Sequence, residues 1–235
     1  AIDGGTSESP DALPCAGDDS HGRVGVLLMR SYLLSGDHAH YDGAIAALEA
    51  QGLSVVPVFA SGLDARPAIE KFWMDGDRVT VDAVVSLTGF SLVGGPAYND
   101  SGAAAEMLAR LDVPYVAAHA LEFQSLQHWH GSERGLLPVE ATMMVAIPEI
   151  DGATGPLVFG GRAQSADGAT EPTMQVEPGQ AELLAARVRR LVDLRRGTPA
   201  ERRVAITLFN FPPNAGAVGS AAFLSVFESL HNLLR

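Results

Sequence analysis

Three stretches of this chain carry side chains whose types and spacing suit chemistry. The segment Ser35-Gly-Asp-His-Ala-His-Tyr41 places one carboxylate, Asp37, beside two imidazoles, His38 and His40. Such a set can bind a divalent metal or relay protons. Its plainer reading is structural, because Asp37 stands where a helix begins and Asp is a favoured N-cap. His38 and His40 are two apart, so a helix turns them to different sides. The second stretch runs from Thr88 to Pro96 and holds Thr88, Gly89, Phe90, Gly94 and Gly95. Glycines after a strand let a ligand approach the backbone; the same residues also make a turn that passes Phe90 over the sheet edge. The third, Asn210 to Gly216, has no titratable group and two stiffening prolines. It reads as architecture at a domain junction.

Other polar residues are weaker candidates. His128 and His130 flank Trp129 in polar surroundings and read as exposed histidines on a surface helix and turn. His119 and Glu122 follow a strand and fall at the edge where open sheets bind ligands. Glu140, Glu149 and Asp151 are isolated carboxylates. No GxGxxG and no Gly-Lys-Ser/Thr occurs, which argues against nucleotide binding here.

The elements that must position these residues follow from hydrophobic pattern. Residues 1–22 are rich in Gly, Ser, Asp and Pro and read as a flexible linker. Short apolar runs at Val24–Met29, Ser54–Phe59, Ala83–Leu87 and Pro114–Ala118 read as buried parallel strands. Between them, His38–Gln51, Ala65–Trp73 (with Pro67 in its first turn) and Ala103–Leu111 read as helices. That alternation predicts an α/β fold, a doubly wound, mostly parallel, Rossmann-like sheet. Beyond it, Leu121–Trp129 reads as a helix, Pro138–Ile147 as helix turning into strand, and Gly155–Gly161 as an edge strand. Ala163 to Glu177 reads as a loop and Gln180–Arg196 as an amphipathic helix. Arg203–Phe209 reads as a buried strand that, with the apolar pattern from Phe223 to Leu234, opens a second α/β unit. The expected division is 1–22 linker, 23–200 α/β domain, and 201–235 the first strand and helix of a following, truncated domain. A start on Ala1 and an end inside an apolar helical pattern lead us to expect a piece of a longer protein.

Composition narrows the partners. Hydrophobic residues at 47% and charged residues at 19% suit a folded core. The net charge of −12 argues against a nucleic-acid partner. No apolar run approaches the roughly 18 residues a transmembrane helix needs, and residues 1–20 lack the pattern of a signal peptide. A cytoplasmic location is the expectation. Cys15 is the single cysteine, so no disulfide within the chain and no Cys-type metal centre is possible.

Six collinear stretches resemble the large-subunit family of magnesium chelatase and cobaltochelatase. They are Gly36–Tyr41, Val55–Leu63, Ala83–Ala97, Leu111–Tyr115, Val145–Gly152 and Ile206–Pro213, the last followed by Gly216 and Gly219. The run Val85-Ser-Leu-Thr-Gly-Phe90 with Val93-Gly-Gly-Pro96 favours the magnesium branch. This resemblance implies a segment of a porphyrin-binding subunit whose parent inserts Mg²⁺ into protoporphyrin IX for (bacterio)chlorophyll synthesis. It implies that two smaller ATPase-type subunits bind the ATP, which this chain does not, and that the isolated segment is inactive. Mg²⁺ and protoporphyrin IX are then substrates of the parent enzyme. The catalytic carboxylates are expected beyond Arg235, so none is assigned; no metal ligands are assigned either. Asp37, His38, His40, Thr88, Gly89, Phe90, Gly94 and Gly95 are the porphyrin-binding candidates. Alternatives are a cobaltochelatase large subunit acting on a corrinoid, a small-ligand-binding α/β domain without enzymatic activity, and a segment that only docks the ATPase subunits.

Overall fold

The structure, a computed structural model, describes residues 5–9, 21–95, 97–163, 171–211, 216, 218–220 and 224–235. Most of the expected linker, Pro96 and most of the Asn210–Gly216 loop lie outside the described residues. In chain order the strands are β1 (Arg23–Leu28), β2 (Ser54–Phe59), β3 (Met74–Asp75), β4 (Arg78–Val79), β5 (Ala83–Ser86), β6 (Gly94–Gly95), β7 (Tyr98–Asn99), β8 (Tyr115–Ser125), β9 (Thr154–Ala163) and β10 (Thr173–Val176). The α-helices are α1 (Arg30–Ser35), α2 (Ala39–Ala50), α3 (Arg66–Trp73), α4 (Ser101–Leu111), α5 (Leu126–Gly131), α6 (Pro138–Glu140), α7 (Ile147–Asp151), α8 (Pro178–Arg196) and α9 (Val226–Leu233).

Six strands form one sheet in the order β10-β9-β8-β5-β1-β2, while β3–β4 and β6–β7 are short separate ribbons. All neighbours in the sheet are parallel except β10, which pairs antiparallel with β9 at the edge. The chain runs from β1 outward to β2, then crosses back to lay β5 on the other side of β1. That reversal makes the β1/β5 boundary the topological switch point of a doubly wound sheet. The chain divides into two compact units, 1–196 and 197–235, and the sheet belongs to the first.

Side-chain alternation along the strands sorts the core into two layers. Val24, Val26 and Leu28 pack with Tyr41, Ile45 and Leu48 of α2 and Leu184 and Val188 of α8. Leu27, Val56 and Val84 face the opposite way, against Ile69 and Trp73 of α3 and Met107 and Leu111 of α4. These strands are buried on both faces, which is why they read as unbroken apolar runs. Helix α4 starts on Asp100, whose side chain accepts the Ala103 N–H at 3.0 Å.

Four expectations are corrected. Leu121–Trp129 is not one helix, because β8 continues to Ser125 and only then does α5 begin. Pairing with β9 persists through register shifts after Val116, His119 and Leu121, and these ladder bonds override the local helical spacing. The segment 138–151 stays helical throughout, α6 passing through a π-helical stretch, Ala141–Ala146, into α7. Pro148 lies inside this continuous helical run, just after the π-helical stretch, where the change in hydrogen-bond pitch accommodates a residue without an N–H. The Gly155–Gly161 stretch is an interior strand, since β10, inside the region read as a loop, takes the edge beside it. In the second unit, residues 202–209 carry no strand and are largely exposed. Beyond one bond at its end, from the Gly219 N–H to the Phe209 carbonyl at 2.8 Å, this segment finds no ladder among the described residues, however apolar its sequence. Helix α9 does form there.

Among the described residues, no helix is long and apolar enough to cross a membrane.

Candidate functional site

The carboxyl ends of β1, β2, β5, β8 and β9 share one edge of the sheet, and most of the expected polar residues gather near it. They separate there into distinct environments. Asp37 is not an N-cap: the N-cap position of α2 is His38, which makes no side-chain capping bond. Asp37 instead accepts the Met174 N–H through Oδ1 at 2.8 Å. The carboxylate thereby ties the loop before α2 to the edge strand β10.

His38 and His40 point apart, as their spacing requires. His38 Nδ1 lies 2.9 Å from Asp42 Oδ2, one turn further along α2. His40 is fully buried. Between ring centroids it sits 3.9 Å from Tyr41, 5.7 Å from Phe159 and 4.9 Å from Tyr32, the last pair nearly perpendicular. Neither His40 nitrogen has a hydrogen-bond partner among the described residues. Burial pushes its pKa down to about 3, the neighbouring His38 adding to the effect. This imidazole is a neutral aromatic filler, closed to a metal or porphyrin in this conformation.

Beside it lies a polar group that sequence reading touched only through Glu122. The Tyr32 hydroxyl donates to Glu122 Oε1 at 2.6 Å. Burial and that carboxylate raise the Tyr32 pKa above the ordinary phenol range, while Arg162 pulls it back. Tyr32 and Glu122 are 90 residues apart in sequence and meet because α1 folds over the end of β8. The Tyr41 hydroxyl accepts the Met29 N–H at 3.1 Å, fastening α2 to the end of β1.

The second loop lies at the switch point. Thr88, Phe90 and Gly94 line a narrow crevice of about 40 Å³ with Met29 and Arg30 from the end of β1. Thr88 Oγ1 lies 3.0 Å from Ser86 Oγ. Gly89 has φ +69°, a conformation that side chains resist, and a Cβ there would come within 3.4 Å of Met144 and 3.7 Å of His119. His119 is buried with both nitrogens unpartnered among the described residues, and burial lowers its pKa to about 4. Gly95 is buried in the β6–β7 ribbon.

Asp151 anchors this loop. It is buried, and its Oδ2 accepts both the Ser91 hydroxyl at 2.7 Å and the Leu92 N–H at 2.8 Å. Burial raises its pKa, and these two hydrogen bonds oppose that rise. At the other end of the same helical segment, Glu140 is buried and accepts from Gln124 Nε2 at 2.5 Å and the Leu137 N–H at 3.0 Å. Two carboxylates that looked isolated in sequence therefore fix the helix that packs on the Gly-rich loop. His128 and His130 are exposed on α5, and His130 pairs with Glu177 at 3.1 Å.

A larger cavity of about 480 Å³ opens at the carboxyl ends of β1 and β2. His38 lines it, together with Leu33, Phe59, Lys71 and Phe72. Among the described residues, no three His, Cys, Asp or Glu side chains converge as a metal site.

Strand order and switch point define a flavodoxin-like, doubly wound α/β unit. Residues 8–235 match the family described as CobN/Magnesium Chelatase, and the chain belongs to that family. It is 55% identical over 224 residues to the H-type subunit of magnesium chelatase from Cereibacter sphaeroides, covering 90% of this chain and 19% of the relative. Identity to aerobic cobaltochelatase subunit CobN of Pseudomonas aeruginosa is 28%, covering 90% of this chain and 17% of the relative. The solved catalytic subunit of cobaltochelatase from Mycobacterium tuberculosis superposes with a TM-score of 0.72 at 25% identity, covering 94% of this chain and 18% of that one. The chain thus spans about a fifth of the length of these relatives.

Proposed function

We propose that this chain is a segment of a magnesium chelatase large subunit, serving Mg²⁺ insertion into protoporphyrin IX in (bacterio)chlorophyll synthesis. The observation that carries this reading is the gradient of identity, 55% to a magnesium-chelatase relative against 28% to a CobN relative. Within the parent, the segment is mainly an α/β scaffold, and residues 201–235 open the following domain. Its carboxyl sheet edge offers the tetrapyrrole the Thr88–Gly95 loop and His38. Asp37 and His40 act from behind that edge, one fixing β10 and the other filling the space under α1. The reaction draws on two ATPase-type partner subunits for ATP hydrolysis in the cytoplasm, and the isolated segment inserts no metal.

Metal insertion requires that two pyrrole N–H protons leave and that an oxygen-rich site deliver Mg²⁺. In this reading the segment's share is positioning. The Gly-rich loop, held by Asp151, presents backbone at the switch point, and Phe90 can stack on a planar ring. The test is a titration of a full-length magnesium-chelatase large subunit in which these 235 residues replace the equivalent segment. Quenching by protoporphyrin IX, weakened several-fold by Phe90→Ala and not reproduced by a corrinoid, is the expected result. Preference for the corrinoid would move the chain to the cobalt branch, and unchanged porphyrin affinity in Phe90→Ala would remove the loop from the site.

A further inference from the structure

The cavity at the ends of β1 and β2 has features that the scaffold role leaves unused. Its walls are apolar and partly aromatic, with Leu33 from α1, Phe59 from the end of β2 and Phe72 from α3. Beside the N-terminal residues, its polar side chains are His38, Ser61, Asp64 and Lys71; His38 is committed through Nδ1 to Asp42, and the Asp64 carboxylate to Arg66 at 2.7 Å, which leaves Lys71 as the cation facing the cavity. Lys71 is the one lysine in the chain. Its ammonium lies 5.7 Å from the Phe72 ring centroid, so the cation is held over an aromatic face. A volume of about 480 Å³ falls in the usual range for small-molecule sites, as does a lining that is mostly apolar with a few polar groups.

The chain also shows what kind of group this cation accepts. Residues Gly5 to Glu8 run along the cavity and contribute to its lining. Glu8 places a carboxylate oxygen 3.8 Å from Lys71 Nζ. Glu8 is fully exposed and Lys71 half exposed, so this ion pair is weak and readily exchanged.

We infer that this cavity binds an apolar molecule bearing a carboxylate, with the acid seated on Lys71 in the place where Glu8 now lies. The apolar walls take the body of the ligand, and the N-terminal segment competes for the cation. The inference rests on the cavity's volume, lining and charge, and does not depend on the tetrapyrrole reading.

The probes are 1-pyrenebutyrate and its neutral analogue 1-pyrenebutanol, followed by fluorescence with the 235-residue chain. The wild-type chain is expected to bind the acid more tightly than the alcohol. Lys71→Met should weaken the acid by about tenfold, the value of one charge-assisted contact, and leave the alcohol unchanged. Glu8→Gln should tighten the acid by up to about fivefold, as removal of a surface ion-pair competitor would. Opposite signs from two exposed positions, with alcohol binding retained, separate this result from misfolding. Equal affinity for acid and alcohol overturns the inference, as does an acid affinity that Lys71→Met leaves unchanged or Glu8→Gln weakens. Failure of protoporphyrin IX to displace bound pyrenebutyrate would count against porphyrin contact in this cavity and leave the carboxylate seat standing.

Discussion

Asp37 and Met174 are joined by a 2.8 Å hydrogen bond that spans 137 residues, carboxylate to backbone N–H. It fastens the loop before α2 to the antiparallel edge strand β10, whose other neighbour is β9. Asp37→Ala is expected to cost about 1.5–3 kcal/mol, the range for a hydrogen bond to a charged acceptor. Asp37→Asn keeps an acceptor and should lose less. Urea denaturation measures the loss. Hydrogen exchange should accelerate at the Met174 amide well before the interior strands β1 and β5 respond.

The two buried histidines give the unit an acid limb. In the unfolded chain their pKa is near 6.5, and folded His40 and His119 lie at about 3 and about 4. Between those values the unfolded state binds more protons, so stability is fully present above about pH 6.5 and falls as the pH drops below it. Each histidine contributes a slope of about 1.4 kcal/mol per pH unit across its window. Replacing His40 with Phe should flatten the decline of the urea midpoint between pH 6 and 4. An unaltered acid limb in that variant would show that His40 is not protonated on unfolding.

Gly25 lies against the indole of Trp73. A Cβ at this position would stand 2.4 Å from Trp73 Cε2, and the ring is fully buried with Nε1 bonded to the Val56 carbonyl at 3.1 Å. The indole has nowhere to go, so Gly25→Ala should destabilise by about 1–3 kcal/mol as an overpacked core does. Thermal unfolding would record this as a lower midpoint, with near-ultraviolet dichroism reporting the displaced ring.

Asp151→Ala should uncouple the Gly-rich loop from the helix beneath it. The change strands the Leu92 N–H in a buried setting, at a cost of about 1–3 kcal/mol for an unpaired group, while the Ser91 hydroxyl keeps the Val93 carbonyl at 3.2 Å. Faster exchange at Leu92, with α8 protection intact, is the expected signature. Porphyrin affinity in the parent should fall with it. Normal affinity despite a loosened loop would mean that the loop positions nothing on the ligand.

Much of the fold was legible because its signals are local. The strands β1, β2 and β5 are short, buried on both faces and hence continuous apolar runs, and α2, α3, α4 and α8 show helical spacing. The errors came where distant pairing decided the outcome. Leu121 to Ser125 has helix-compatible spacing, yet β9 supplies a ladder that extends β8 through it. The strand expected at 203–209 has the right residues but, beyond the Gly219 N–H on the Phe209 carbonyl at its end, no ladder partner among those described. The site shows the same division. Spacing put His38 and His40 on different sides and placed the Thr88–Gly95 loop at the sheet edge. The partner of Asp37 on β10, the Tyr32–Glu122 pair and the grip of Asp151 on Leu92 depend on tertiary contacts that no periodicity records. Asp151 had one available signal, since it falls within the Val145–Gly152 stretch that resembles the chelatase family.

If this chain is part of a protein that serves magnesium insertion, it should work in the place of its relative's matching segment. The most direct measurement grafts its 235 residues into the large magnesium-chelatase subunit of Cereibacter sphaeroides at that segment. The chimera is then assayed with the two smaller subunits, ATP, Mg²⁺ and protoporphyrin IX. Magnesium porphyrin formed at a rate within about tenfold of the parent is the predicted result. A folded chimera that still assembles with its partners but forms no magnesium porphyrin would contradict the account.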